Sequence, residues 1–154
     1  MRVWGIATAI LMAAGLATGA AAQDQPVKGG TLIWGLSAEA GTLDCGATDT
    51  FAVVQMVGPF YSTLLKVDLD KYPEVKGDLA KSWTISDDGK TYTFEIHPNV
   101  KFHDGSPLTS EDIKASFDRY RTPPEGVASF REPSFKDIET IETPSPTTVV
   151  FKLK

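Results

Sequence analysis

The stretch DLAKSWTISDDGKTYTF, residues 78–94, decides most of the fold. Two strand-like runs lie in it, separated by the turn-forming residues Ser-Asp-Asp-Gly at 86–89. Tyr92, Phe94 and the following Ile96 alternate with polar residues, so their side chains share one face of a strand. An Asp-Gly pair between two such runs favours a tight turn. The stretch therefore predicts an antiparallel hairpin with one apolar face.

A helix is predicted directly downstream. Thr109 precedes Ser-Glu-Asp, and a hydroxyl cap followed by acidic residues is typical of a helix N-terminus. Ile113, Phe117 and Tyr120 recur at helical spacing and form an apolar stripe. Two prolines and a glycine in residues 122–126 are expected to end the helix.

The last part of the chain predicts a second hairpin. Residues 138–143 and 148–153 alternate between apolar and polar side chains, and Pro-Ser-Pro separates them. Residues 127–136 are predicted to form a loop. Because the chain stops on a strand pattern, we expect it to be the N-terminal piece of a longer protein.

Upstream of the quoted stretch, the pattern predicts one strand and one helix. Residues 31–36 form a short apolar run after two glycines, which is typical of a strand buried on both faces. Residues 51–65 have apolar side chains at helical spacing, with Asp49 as the expected cap. Pro59 should kink or split this helix. Strands and helices are mixed without strict alternation, which indicates a mixed α/β (α+β) fold.

The first 22 residues have the features of a secretory signal peptide. Arg2 precedes an apolar and small-residue run, and Ala20 and Ala22 form an A-x-A site. The alternative is a membrane anchor, but the second half of the run is mostly Ala, Gly and Thr, too weakly apolar for a spanning helix. We expect cleavage after Ala22, export to the periplasm, and a mature chain of residues 23–154.

Charge and cysteine content limit the partners. The chain has 20 acidic and 15 basic side chains, a formal net charge of −5. This balance argues against nucleic acid or an anionic membrane surface as a partner, because both require a basic patch. Cys45 is the single cysteine, so the chain forms no internal disulfide, and we interpret it as a small half-buried residue.

Residue patterns for catalysis or cofactor binding are weak. His97 and His103 are the two histidines, and they lack the spacing of a helical metal pair. Gly29 and Gly30 are not followed by the helix that a dinucleotide fingerprint requires. The sequence therefore predicts no catalytic residues, no cofactor and no metal site.

Five motifs together resemble one protein family. Residues 78–94 are similar to the "DLAxSWxxSxDGxTYTF" signature of family 5 extracellular solute-binding proteins, and residues 100–109 to its "VKFHDGxPLT". The run Glu-Asp-Ile followed by Ser-Phe-Asp-Arg, within residues 111–119, is similar to the family's "EDV…SFxR" helix. Residues 28–32 resemble its opening strand. Residues 42–44 resemble the start of "TLDP", although Cys45 replaces the proline.

The resemblance implies a fold and a function. Family members have two lobes that close over a ligand, and residues 23–154 would form the first strand of lobe I and most of an appended subdomain. The implied function is that of an oligopeptide- or dipeptide-type binding protein, which captures a peptide-like solute without catalysis. It delivers the solute to the transmembrane subunits of an ABC permease. The full-length protein is expected to be a monomer. Within the family, the alternative ligands are an oligosaccharide, an opine or a nickel chelate. From other classes, the alternatives are a periplasmic enzyme whose active site lies elsewhere in the full-length protein, or a purely structural envelope module.

The resemblance also implies candidate ligand-facing residues. They fall just after the "TLD" motif and around the loop that follows the "SFDR" helix, segments where loops carry binding residues. The candidates are Asp49, Thr50, Phe51, Tyr120, Arg121, Phe130 and Arg131.

Overall fold

The structure is a computed structural model that describes residues 28–154. The predicted signal peptide lies outside the described residues. The chain divides into two units, Met1–Trp34 and Gly35–Lys154. In the described part of the first unit, Leu32 and Ile33 are 87% and 91% exposed.

The strand predicted over residues 31–36 is wrong for this structure, since none of these residues belongs to a strand. A strand persists only when a neighbouring strand takes up its backbone N–H and C=O groups. The two sheets among the described residues do not include this run.

The first helix is shorter than predicted. α1 spans Phe51–Val57, begins after Thr50 instead of the expected cap Asp49, and ends at Gly58. Pro59 follows directly, and because proline cannot continue a helix, the apolar pattern beyond it takes another form. Val53 and Val57 are the buried residues of α1.

A small hairpin follows that the sequence pattern did not predict. β1 (Leu65–Val67) pairs antiparallel with β2 (Val75–Gly77), and a turn of 3-10 helix at Leu69–Lys71 lies between them. Asp68 accepts a hydrogen bond from the backbone N–H of Asp70 at 3.2 Å and so caps that turn.

The predicted hairpin of residues 78–94 is confirmed. β3 (Ala80–Ile85) and β4 (Thr91–Ile96) pair antiparallel, and Trp83 lies opposite Phe94. Gly89 adopts φ +69° in the connecting turn, a conformation that glycine adopts at little cost. Phe94 and Ile96 are buried, whereas Trp83 is only half-buried at the edge of the core.

The second predicted hairpin is also confirmed and completes the sheet. β5 (Ile138–Ser145) pairs with β6 (Thr148–Leu153), and β6 pairs with β4, so the strand order is β3-β4-β6-β5. All neighbours in this sheet are antiparallel.

The predicted helix lies against this sheet. α2 spans Ser110–Arg121, and the carboxylate of Asp112 accepts hydrogen bonds from the N–H and hydroxyl of the cap residue Thr109 at 2.7 and 2.8 Å. The Ser110 hydroxyl donates to the carbonyl of Ser145 at 2.6 Å, which fixes the start of α2 to the end of β5. The segment predicted as a loop contains one further helical turn, α3 (Glu132–Phe135), where Pro133 suits the first turn of a helix.

The core lies between α2 and one face of the sheet. Phe117 of α2 packs edge-to-face on Phe151 of β6 with ring centroids 4.8 Å apart, and Phe151 in turn meets Phe94 at 5.7 Å. The buried members of this cluster are Ala80, Phe94, Ile96, Ile113, Ile141, Val149 and Phe151.

Candidate functional site

Two segments distant in sequence meet at the end of α2. We call this contact the loop junction; it consists of residues 44–47, Arg119, Tyr120, Phe130 and Arg131. The N–H of Phe130 donates to the carbonyl of Gly46 at 3.1 Å, and Nε of Arg131 donates to the carbonyl of Cys45 at 3.2 Å. The junction therefore joins the loop before α1 to the loop after α2.

An ion pair is the most directional contact of the loop junction. Nη1 and Nη2 of Arg119 donate to the two carboxylate oxygens of Asp44 at 3.1 and 2.5 Å. This two-bond fork between guanidinium and carboxylate sets the orientation of both groups. Arg119 and then the N–H of Gly46, which donates at 2.9 Å, hold the pKa of Asp44 below its ordinary value.

Tyr120 lies under the loop and is half-buried. Its hydroxyl is 3.5 Å from Sγ of Cys45, and its ring stacks on Phe135 at 6.1 Å. Burial, and after it the contact with Cys45, raises the pKa of Tyr120 to about 12. At neutral pH the phenol therefore stays protonated and serves as a neutral hydrogen-bonding group.

Close packing at Gly46 makes the fit of the loop specific. A Cβ atom on Gly46 would lie 2.7 Å from Cε1 of Tyr120 and 3.0 Å from Nη1 of Arg119. The backbone of the loop thus lies directly on the Tyr120 ring, which a larger residue at 46 would prevent.

An open cavity of about 540 Å³ adjoins the loop junction, and Cys45, Tyr120 and Arg131 are among the residues that line it. Its other walls are mostly apolar, as in many small-molecule sites. Phe60, Tyr61 and Phe102, exposed by 57%, 58% and 41%, stand in these walls.

The structure brings some of the predicted ligand-facing residues together. Tyr120, Phe130 and Arg131 all belong to the loop junction. Asp49, Thr50 and Phe51 stand at the start of α1, immediately after the loop that the junction holds. The exposed aromatic side chains in the set are Phe51 and Phe130, at 71% and 59%.

Arg121 makes a different set of contacts. Its Nε donates to the carboxylate of Asp118 at 2.9 Å, and its Nη1 donates to the carbonyls of Ile138 and Glu139 at 3.0 Å. These bonds tie the end of α2 to β5, so the guanidinium serves the attachment of the helix to the sheet.

Sequence reasoning missed Asp44 and Arg119 as contacting residues. Both stand in motifs that marked the resemblance, the "TLD" and "SFDR" runs, and opposite charges in two such motifs were the available signal. Within residues 28–154, no group of three or more His, Cys, Asp or Glu side chains is arranged to hold a metal ion. No helix in that same range is both long and apolar enough to cross a membrane.

The family comparison covers the second half of the chain. The model of "Bacterial extracellular solute-binding proteins, family 5 Middle" matches residues 74–154. The chain belongs to this family. The strands β2 to β6 and the helices α2 and α3 of this family 5 chain lie within the matched residues. The mixed α/β structure is therefore part of a periplasmic-binding-protein fold.

Three relatives show how family 5 proteins compare with this chain. The "Probable D,D-dipeptide-binding periplasmic protein DdpA" of Escherichia coli K12 is 38% identical over 146 residues, 93% of this chain and 28% of its own length. AgaA of A. tumefaciens R10, solved in complex with agropinic acid, is 35% identical with a TM-score of 0.66 over 75% of this chain and 22% of its own. NikZ of Campylobacter jejuni, solved with Ni(L-His), is 27% identical with a TM-score of 0.64 over 75% and 22%. The chain thus spans about a quarter of the length of these three relatives.

Proposed function

We propose that the protein carrying this chain is the periplasmic substrate-binding component of an ABC importer, and that it captures a peptide-like solute and passes it unchanged to the permease. The observation that carries the proposal is the 38% identity to a probable D,D-dipeptide-binding protein over 93% of this chain. On this proposal residues 1–22 are a signal peptide, and residues 23–154 are the N-terminal part of the solute-binding domain. N-terminal sequencing of the exported protein should begin at Gln23.

The candidate residues suit a peptide. Asp49 supplies a carboxylate at the start of α1 that can pair with a peptide ammonium group. Phe51 and Phe130 offer exposed aromatic rings that can cover apolar ligand groups. Arg131 belongs to the loop junction, and its guanidinium can pair with a peptide carboxylate.

A second candidate function keeps the family and changes the ligand. AgaA was solved with agropinic acid and NikZ with a nickel–histidine complex. An opine or a metal chelate is therefore the alternative that binding data must separate from a peptide.

Calorimetric titration of the full-length protein tests the proposal. The probes are D-alanyl-D-alanine, L-alanyl-L-alanine, agropinic acid and the nickel–histidine complex, and mass spectrometry then reads the ligand. We expect a dipeptide to bind and to be recovered intact. Recovery of cleaved dipeptide would favour an enzyme, and binding of agropinic acid or nickel–histidine alone would overturn the peptide assignment.

A matched pair of variants locates the site. Phe51→Ala should weaken dipeptide binding roughly tenfold, as the loss of one buried aromatic contact does. Leu69→Ala removes an apolar side chain that is 86% exposed in the turn between β1 and β2, so it should leave the affinity unchanged. Equal affinities of both variants and the wild type would place the site elsewhere.

A further inference from the structure

The ion pair of the loop junction connects two parts of the molecule that differ in rigidity. Arg119 stands on α2, which the Phe117–Phe151 contact and the Ser110 hydrogen bond attach to the sheet. Asp44 stands on an irregular loop that contains no helix or strand between residues 35 and 50. The pair therefore ties a loop to a rigid helix.

We propose that the Asp44–Arg119 pair is a positioning element that holds the loop before α1, and through it residues 49–51, in the orientation that binds ligand. The inference rests on the proposed function and assigns the pair no contact with the ligand. Four residues lie between Asp44 and Asp49, so a shift at one end of this short segment is passed to the other.

The contacts around the ion pair hold the backbone of the loop against α2. Asp44 accepts from Gly46 N–H as well as from Arg119, so the same carboxylate shapes the turn and ties it to α2. Gly46 lies against the Tyr120 ring, and its carbonyl accepts from Phe130 N–H. Releasing Asp44 would therefore loosen both ends of the loop junction.

The exposure of the pair separates positioning from stability. The side chains of Arg119 and Asp44 are 42% and 33% exposed, and exposed ion pairs add little to the free energy of folding. A prearranged site, by contrast, gains affinity because ligand binding does not have to order it. Loss of the pair should thus weaken ligand affinity measurably and leave the melting temperature nearly unchanged.

The test uses Asp44→Asn in the full-length protein, with Asp68→Asn as the matched control. Asp68 forms an ion pair with Lys76 at 3.0 Å in the β1–β2 hairpin, and its side-chain hydrogen bonds go to Asp70 and Lys76 and to no residue of the loop junction. Three quantities are measured: amide hydrogen exchange at residues 46 and 47, the melting temperature, and ligand affinity. The ligand is the one of the four probes named under the proposed function that the wild-type protein binds.

We expect Asp44→Asn to speed exchange at residues 46 and 47 and to weaken affinity, each roughly 2- to 5-fold, as loss of a pair of this kind predicts. Asp68→Asn should change neither, and both variants should melt alike. The double variant Asp44→Arg with Arg119→Asp should recover part of the affinity, because it restores the opposite charges.

Each other outcome has a defined meaning. If the wild type binds none of the probes, the proposed function fails and the positioning role fails with it. If the wild type binds and Asp44→Asn binds equally well, the positioning role is overturned while the proposed function stands. Unchanged exchange at residues 46 and 47, or a melting temperature far below that of Asp68→Asn, would also overturn it.

Discussion

Two antiparallel hairpins follow one another along the chain, and they are stabilised in different ways. The β3–β4 hairpin places Ala80, Phe94 and Ile96 in the core. The β1–β2 hairpin has no buried residue, and Val67 and Val75 are 45% and 49% exposed. A two-stranded hairpin alone is marginal in water. The β3–β4 hairpin is stable because β4 pairs with β6 and its apolar face lies in the core.

Charged side chains take a larger part in the β1–β2 hairpin. Lys66 pairs with Asp78 at 2.8 Å, and Lys76 pairs with Asp68 at 3.0 Å. Exposed pairs of this kind contribute little net stability and are screened by salt. A hairpin with a strong alternating pattern therefore supplies side chains to the core. A hairpin without that pattern depends on its contacts with neighbouring segments.

The largest expected effect tests the core side of the comparison. Phe151→Ala should lower the free energy of unfolding by ~3–5 kcal/mol, because it leaves a cavity between Phe94 and Phe117. Val75→Ala in the β1–β2 hairpin should lower the free energy of unfolding by ~0.5 kcal/mol or less, since its side chain is half exposed. Denaturant titration of both variants measures the difference, and similar losses would contradict it.

A smaller effect is expected where the two hairpins join. Gly77, the last residue of β2, lies so close to β3 that a Cβ atom would be 2.0 Å from the carbonyl oxygen of Ala80. Gly77→Ala should therefore destabilise the protein by ~1–3 kcal/mol through overpacking. Gly41→Ala is the control, because no atom lies within 4 Å of its added Cβ. If both variants unfold at the same denaturant concentration, β2 is not held against β3.

The smallest expected effect is a response of the β1–β2 hairpin to acid. Hydrogen bonds from Lys66 and Lys76 hold the pKa of Asp78 and Asp68 below their ordinary value of 3.8. The stabilisation is therefore complete above the unfolded-state pKa and is lost as pH falls through the lower folded-state values.

Nuclear magnetic resonance of the backbone amides at decreasing pH measures this response. Amide signals of β1 and β2 should shift before those of β4, whose stability comes from buried apolar side chains. Simultaneous changes in both hairpins would show that they open as one unit and would remove the distinction between them.

Much of the fold could be predicted from local patterns. The bounds of the β3–β4 hairpin follow from alternation around Asp88-Gly89, and the start of α2 follows from Thr109 and the acidic residues after it. Both depend on contacts between neighbours in sequence, which a single segment specifies. The β1–β2 hairpin was missed because its strands have three residues each, too few to show a period, and because seven residues separate them.

The candidate site was predictable only as two separate segments. The resemblance indicated residues 49–51 and the region of Tyr120 to Arg131, but no local pattern predicts that Cys45 and Gly46 contact Phe130 and Arg131. Arg121 shows a further limit. The resemblance placed it among the ligand-facing residues, but its hydrogen bonds go to Asp118 and β5.

The sequence by itself determined the family, the two main hairpins and the capped helix, because turn residues, alternation and caps act over a few neighbouring residues. Tertiary structure alone decided that β4 and β6 are neighbours, that residues 31–36 form no strand among the described residues, and that Asp44 meets Arg119. Those contacts join residues about 55 to 75 apart along the chain. Their stability depends on burial and on the geometry of both partners at once, which neither segment carries alone.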